Sequence, residues 1–403
     1  MALGLYVSVP FCRTKCSYCN FASDVFSRAV FTKYVERVCT DIQHTTSADG
    51  PLAQSATPEV DTIYLGGGTP TVLDSLPLER IFVTIRREFC FLPDTEITVE
   101  CAPGTLSSPV LETLLRCGVN RFSLGVQSFV DQEAASVGRL HKRTTVHDDI
   151  ARLRAAGIAN INIDLIAGLP HQTAESWEFS MAETIATGAS HASVYMLEVD
   201  GDSRLGRELM AGGTRYHAHF VPDEELTADL YVAACERLNA AGIRQYEISN
   251  FAHAGCESLH NLKYWTRQPY LGFGVDAHSM LPIADVRDPG VSATQLDAVR
   301  WSTPDQLEEY VAGKPGSSST VTSQAALEES FFLGLRLNRG VPLHDLEQRF
   351  GAASLRRLDE VIAQTVADGL LEKTGDTLRL TPRGRLLSNE VFERFLGEPT
   401  QAI

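Results

Sequence analysis

The 403-residue chain is 44% hydrophobic and 21% charged, the balance of a soluble globular protein, and it exceeds one typical domain, so one large and one smaller domain are expected. A formal net charge of −16 argues against general binding to nucleic-acid phosphates, which requires clustered Lys and Arg. No apolar run reaches the ~18–20 residues that span a bilayer, and the N-terminus has no signal-peptide pattern, so a cytoplasmic location is expected.

Strand-like runs follow one another along the chain at Leu3–Val9, Thr62–Leu65, Glu96–Glu100, Arg121–Leu124, Ile161–Ile166 and Ala192–Glu198, with a last one near Gln245–Ile248. Between them, Leu78–Phe89, Pro109–Arg116, His147–Ala156 and Glu224–Ala241 carry apolar residues at three- and four-residue intervals, and Gly118, Gly157 and Gly242 read as helix C-caps. Repeated βα units predict an α/β protein whose parallel sheet curls into a partial (β/α)6 barrel, with chemistry at the C-terminal strand ends.

The alternation stops after Trp301. Residues 1–300 are read as the barrel domain with a C-terminal extension, 301–324 as a linker region containing the Gly/Ser/Thr-rich stretch Gly313–Gln324, and 325–403 as a small helical domain. In that last part, helices at Leu327–Leu337, Pro342–Arg349 and Ala353–Asp368, a polar hairpin around Gly375 and a final helix from Pro382 suggest a winged-helix-like unit. Its mixed charges form no basic stripe, which favours packing or a lid over DNA binding.

Nine cysteines suit a reducing compartment, where thiols bind metals or pack in cores rather than pair. Cys12, Cys16 and Cys19 stand in a Cys-x3-Cys-x2-Cys loop just past the first strand, and their spacing lets three thiolates converge on a [4Fe–4S] cluster with one iron left open for a ligand. A zinc site completed by a ligand from outside the loop is the alternative. Cys39, Cys90, Cys101, Cys117, Cys235 and Cys256 lack such spacing and are read as structural.

With this triplet after strand one and Gly66-Gly67-Gly68-Thr69-Pro70 ending strand two, the chain resembles radical-SAM proteins of the coproporphyrinogen dehydrogenase group from Tyr6 to about Arg339. The resemblance implies that S-adenosylmethionine meets Gly67, Gly68 and Thr69, flanked by Tyr6 and Tyr18. It extends the same ligand set to Glu100 in VECAPGT, Gln127 in LGVQSF, Arg139 in VGRLH and Asp164 in DLIAGLP. Arg139 suits the methionyl carboxylate, and the others suit hydroxyl and amino groups.

Dehydrogenases of the group carry a fourth Cys two residues past Cys19, where this chain has Phe21, and the His260-Asn261-Leu262-Lys263-Tyr264-Trp265 segment matches the HNxxYW motif of the HemW heme-chaperone branch. The resemblance is therefore to that branch. It makes His260 a candidate heme ligand and Tyr264 and Trp265 candidate packing for the macrocycle. His278 is expected to be a packed core histidine.

The function so implied is uptake of heme and its delivery to hemoproteins, respiratory ones among them, by a chain holding a [4Fe–4S] cluster and S-adenosylmethionine. An acceptor hemoprotein, which can sit in a membrane, and a low-potential donor such as flavodoxin or ferredoxin are the expected partners, with no nucleic acid. The alternative is oxygen-independent coproporphyrinogen III dehydrogenation, or radical chemistry on another tetrapyrrole.

Overall fold

The structure is a computed structural model describing residues 2–53, 57–285 and 296–396. Six strands lie side by side in chain order: β1 (Leu3–Val9), β2 (Glu59–Gly67), β3 (Cys90–Cys101), β4 (Arg121–Gln127), β5 (Asn160–Ala167) and β6 (His191–Met196). All neighbouring pairs among them are parallel. β1, whose residues are buried apart from Tyr6, shows why: a parallel strand covered on both faces reads as a near-continuous apolar run.

The crossovers are helical: α1 (Ala29–Thr46), α2 (Ser75–Glu88), α3 (Ser108–Arg116), α4 (Asp131–Ser136) with α5 (Arg143–Ala155), and α6 (Ala174–Ala186). Pro109 occupies the first turn of α3, where its missing N–H costs nothing. Thr173 and Ser176 form a reciprocal capping box at the start of α6. Gly118, Gly157 and Gly242 adopt the left-handed backbone of helix ends (φ 88°, 86° and 84°).

After β6 come α7 (Arg204–Met210), a kinked 3-10 segment Arg215–Phe220 and α8 (Glu224–Ala240). The seventh strand expected near Gln245–Ile248 is not a parallel barrel strand. β7 (Arg244–Gln245) and β8 (Asn250–Ala252) form a short antiparallel hairpin on the far side of β6. Four residues between the two strands leave no room for the crossover that a parallel pairing needs. The further parallel neighbour is β9 (Tyr270–Gly274), which follows α9 (Leu259–Trp265) and pairs with β1. β10 (His278–Pro282), β11 (Leu296–Ser302) and β12 (Ser318–Thr322) extend that edge in antiparallel order.

The segment read as a linker is therefore structured: it carries α10 (Leu307–Val311) and β12, whose backbone pairs with β11. Its Ser and Thr residues suit an exposed edge strand, and composition alone does not separate that from a loop. His278 is also misread: it is exposed and stands 3.7 Å from Asp276.

From Ser323 the order is α11 (Ser323–Gly334), β13 (Val341–Pro342), α12 (Leu343–Phe350), α13 (Ala352–Arg356), α14 (Asp359–Ala367), β14 (Leu371–Thr374), β15 (Thr377–Leu380), α15 (Pro382–Leu386) and α16 (Ser388–Glu393), with sheet order β13-β15-β14. The single helix expected at Ala353–Asp368 is two, α13 and α14, interrupted at Arg357–Leu358. This region has its own apolar core, including Phe331 stacked on Phe395 at 4.8 Å. It is pinned to the sheet by the buried Glu329 of α11, which accepts hydrogen bonds from Arg267 (2.8 Å) and Arg300 (2.6 Å).

Candidate functional site

The loops after the parallel strands enclose one cavity of about 890 Å³. The loop from Pro10 to Asp24 forms one wall, and it is tied at its ends: Cys12 N–H donates to the Asp24 carbonyl (3.0 Å) and Asp24 N–H to that of Pro10 (2.9 Å). Its middle is clasped from both sides, with Ser17 N–H donating to Val137 O (3.1 Å) and Leu205 N–H to Ser17 O (2.8 Å). Cys12, Cys16 and Cys19 all line the cavity.

Each thiol has a polar neighbour. Thr69 Oγ1 lies 3.9 Å from Cys12 Sγ, Arg139 Nη1 lies 3.5 Å from Cys16 Sγ, and Ser23 Oγ lies 4.0 Å from Cys19 Sγ. Burial raises the Cys12 thiol above its ordinary pKa, opposed by Ser23 and Thr69. Among the described residues no three His, Cys, Asp or Glu groups are close enough to share one metal ion. Thiolates that each hold a different iron of a cluster need not meet at one point, so the donor set suits a multi-iron group better than a single zinc. Of the other cysteines, Cys39, Cys101 and Cys117 are buried, Cys235 and Cys256 half-buried, and Cys90 exposed.

The glycines at the end of β2 serve a second purpose besides openness to a ligand. A Cβ on Gly68 would come within 2.8 Å of the carbonyl oxygens of Val9 and Phe11. Gly68 and Thr69 N–H groups donate to those same carbonyls at 2.8 Å. The glycine run thus lets the two loops lie backbone to backbone, fixing the cysteine loop against Thr69.

In the same cavity, Glu100 accepts a hydrogen bond from Tyr64 OH (2.8 Å), and burial together with the nearby Asp164 raises its pKa to about 7. Asp164 accepts from Ser123 Oγ (2.9 Å) and Asn162 Nδ2 (2.7 Å). Gln127 sits at φ 71°, in the left-handed region unusual for a residue with a side chain, where the β4–β5 register shifts. Arg139 reaches back to the Gly125 carbonyl. Tyr18, Gly67, Gly68, Thr69, Glu100, Gln127, Arg139 and Asp164 all line the cavity, so it presents cationic, anionic and amide groups around a thiol wall.

Other predicted residues lie elsewhere. Tyr6 is not on the cavity wall; its ring faces Tyr64 (6.1 Å) and His260 (6.3 Å). His260 is buried, with Nδ1 2.9 Å from Thr62 Oγ1 and Nε2 2.8 Å from Tyr264 OH, and burial lowers its pKa to about 3. Both ring nitrogens are hydrogen-bonded inside the fold, one as donor and one as acceptor, so neither is free for iron. Trp265 lies under Arg336, 4.3 Å from its ring. Of the motif only Asn261 reaches the cavity. Phe21 is 64% exposed and lines the cavity mouth.

The cavity floor holds residues not anticipated from sequence. Arg121 is 2% exposed, and its Nε and Nη2 have no hydrogen-bond partner among the described residues; Glu96 Oε2 is 3.9 Å away. His191 bridges Asn162 Oδ1 (2.6 Å) and Tyr246 OH (2.9 Å). The legible signal was alternation: Asn160, Asn162 and Asp164 put polar groups at every second position of a buried strand, which marks a wet interior.

Comparison with known proteins completes the picture. The Radical SAM superfamily signature matches residues 6–183 and the HemN C-terminal domain matches residues 321–387. A solved structure, described as coproporphyrinogen III oxidase (HemN) from Escherichia coli and a radical SAM enzyme, has a TM-score of 0.80 at 23% identity over 98% of this chain and 90% of that one, a likeness of fold. The heme chaperone HemW of Bacillus subtilis (strain 168) is 34% identical over 395 residues, covering 98% of this chain and 99% of that protein. HemW of Escherichia coli (strain K12) is 29% identical over 98% of both, and a mouse protein called radical S-adenosyl methionine domain-containing protein 1, mitochondrial, is 31% identical over 90% of this chain and 80% of its own length. By near-full-length identity, on a radical-SAM sheet with its three-thiol loop, the chain belongs to the HemW heme-chaperone family of the radical-SAM superfamily.

Proposed function

We propose that this protein takes up heme and delivers it to hemoproteins, respiratory ones among them, with Cys12, Cys16 and Cys19 holding a [4Fe–4S] cluster beside a site for S-adenosylmethionine. The observation that carries the reading is convergence: three thiols, the Gly67–Thr69 backbone, Arg139, Glu100 and Asp164 all line one cavity.

When bound, the cluster would supply a low-potential electron and an open iron for the amino acid end of S-adenosylmethionine. The chain's own groups do the positioning. Arg139 balances thiolate charge at Cys16 and offers a guanidinium to a carboxylate. Glu100 and Asp164 accept from an ammonium or ribose hydroxyls, and Gln127 supplies an amide at a backbone position held by the register shift. Among the described residues no helix is long and apolar enough to cross a membrane, so a membrane-bound acceptor would be met by docking. A flavodoxin or ferredoxin would serve as donor.

The test is anaerobic reconstitution followed by iron and sulfide analysis, S-adenosylmethionine titration, hemin titration read at the Soret band, and transfer to an apo-hemoprotein. Hemin binding with transfer, and no protoporphyrinogen formed from coproporphyrinogen III, is the expected outcome. Product formation without hemin binding would overturn the reading.

A further inference from the structure

With both nitrogens of His260 engaged inside the fold, an axial imidazole for the heme-chaperone reading would come from a histidine that a macrocycle can reach. An exposed pair of imidazoles beside the cysteine loop has a geometry that suits this. The segment from α7 to Phe220 lies across the cysteine loop, its inner side seated by Leu205 and Ala218 in a small core against which Tyr18 packs. Its outer side carries His217 and Phe220, both exposed.

His217 Nδ1 lies 3.1 Å from Nε2 of His171, which reaches it from the loop after β5. In the tautomer where His217 Nδ1–H donates to His171, the Nε2 lone pair of His217 points away from that bond. This is the arrangement by which metal-bound histidines are oriented: one ring nitrogen donates to a neighbour and the other binds the metal. His171, His217 and Tyr216 all have positive φ (69°, 60° and 55°), a backbone conformation that side-chain-bearing residues adopt at a cost, concentrated here at the imidazole pair.

The surroundings fit a flat, dianionic macrocycle. Phe220 is 48% exposed and lies 4.1 Å ring to ring from His171 and 6.4 Å from His217, an aromatic platform already facing out. In a chain of net charge −16, the stretch 204–220 carries Arg204, Arg207 and Arg215 against Glu208 alone. Arg215 is exposed two residues from His217, within reach of a propionate. A heme brings four nitrogens of its own, so one imidazole suffices where a bare metal ion would need three or four protein ligands.

The geometry points to His217 as the axial heme ligand on the outer face of the Arg204–Phe220 segment, with His171 as its positioning residue and Phe220 beneath the ring. The Nε2 lone pair forms the iron–nitrogen bond, iron gives up one axial water, and no electron is transferred. This site rests on the heme-chaperone reading.

The test is titration of the full-length chain with hemin, read by Soret position, affinity and resonance Raman. His217→Ala is expected to weaken binding by roughly 10- to 100-fold and abolish the wild-type Soret band. His171→Ala should retain a bound heme with a lowered iron–histidine stretching frequency, a change that loss of packing alone would not give. His219→Ala, whose exposed ring lies 4.0 Å from Phe220, and His344→Ala, an exposed histidine of α12, should both match wild type; a loss in either equal to that of His217→Ala would overturn the assignment to His217. Wild-type Soret position and affinity in His217→Ala would overturn this site and leave the chaperone reading standing. Failure of the wild-type chain to bind hemin would overturn both.

Discussion

His260 and Tyr264 are joined by a 2.8 Å hydrogen bond between Nε2 and the hydroxyl, one turn apart on α9, with the other face of the imidazole taken by Thr62. The backbone N–H of His260 adds a third link, donating to Glu96 (3.0 Å). The first residue of the HNxxYW segment is thus a fastener between α9 and strands β2 and β3.

Replacing it should therefore be felt in stability. His260→Ala leaves a void and takes the ring partner from two hydroxyls, those of Thr62 and Tyr264, an expected loss of about 2–4 kcal/mol in denaturant unfolding. The ring also sets a pH trend. Its folded pKa, about 3, lies below the unfolded value of 6.5, so below about pH 6.5 the unfolded chain binds the proton and stability falls as pH drops, a slope that His260→Asn should reduce in thermal melts. An unchanged slope would contradict the buried neutral ring.

Glu100 works in the opposite sense. Its folded pKa, raised from 4.5 to about 7, means the folded state takes up the proton first, so its burial destabilises the protein fully above pH 7 and less as pH falls toward 4.5. Glu100→Gln is expected to raise the melting temperature at pH 8 while weakening binding of the cationic S-adenosylmethionine. A lower melting temperature at pH 8 would count against this account.

Two substitutions test the thiol wall. Cys16→Ala should reduce iron and acid-labile sulfide to background after reconstitution with the fold retained by circular dichroism. Gly68→Ala should reach the same end from the other loop, because its methyl would press on the Val9 and Phe11 carbonyls at 2.8 Å, at a cost of about 1–3 kcal/mol. Full iron content in Gly68→Ala would show that the backbone contact between the loops is dispensable.

The junction with the C-terminal region depends on Glu329. Removing it in Glu329→Ala leaves Arg267, whose side chain is 2% exposed, with Asp297 (3.0 Å) as its remaining carboxylate and with Arg300 beside it, and is expected to cost about 1–3 kcal/mol. Chemical unfolding followed by tryptophan fluorescence measures it. A change within error would mean the network contributes little to holding α11.

Local apolar patterning determined, by itself, the six parallel strands and the crossover helices α2, α3 and α5, and spacing marked out the cysteine loop and the glycine run, because these features depend on neighbours within a few residues; α1, α4 and α6 were not read from the pattern, and Glu100, Gln127, Arg139 and Asp164 were pointed to by family resemblance. Phe21 and the HNxxYW segment likewise identified the branch. The Arg244–Ala252 hairpin, the strand at Ser318–Thr322 and the break at Arg357–Leu358 were not legible, since each depends on pairing or packing beyond its own residues. The same holds for individual side chains. That His260 turns inward to Thr62, that Arg121 lies buried on the cavity floor near Glu96, and that His171 meets His217 across 46 residues are all consequences of which faces the sheet brings together, and only the tertiary structure decides those.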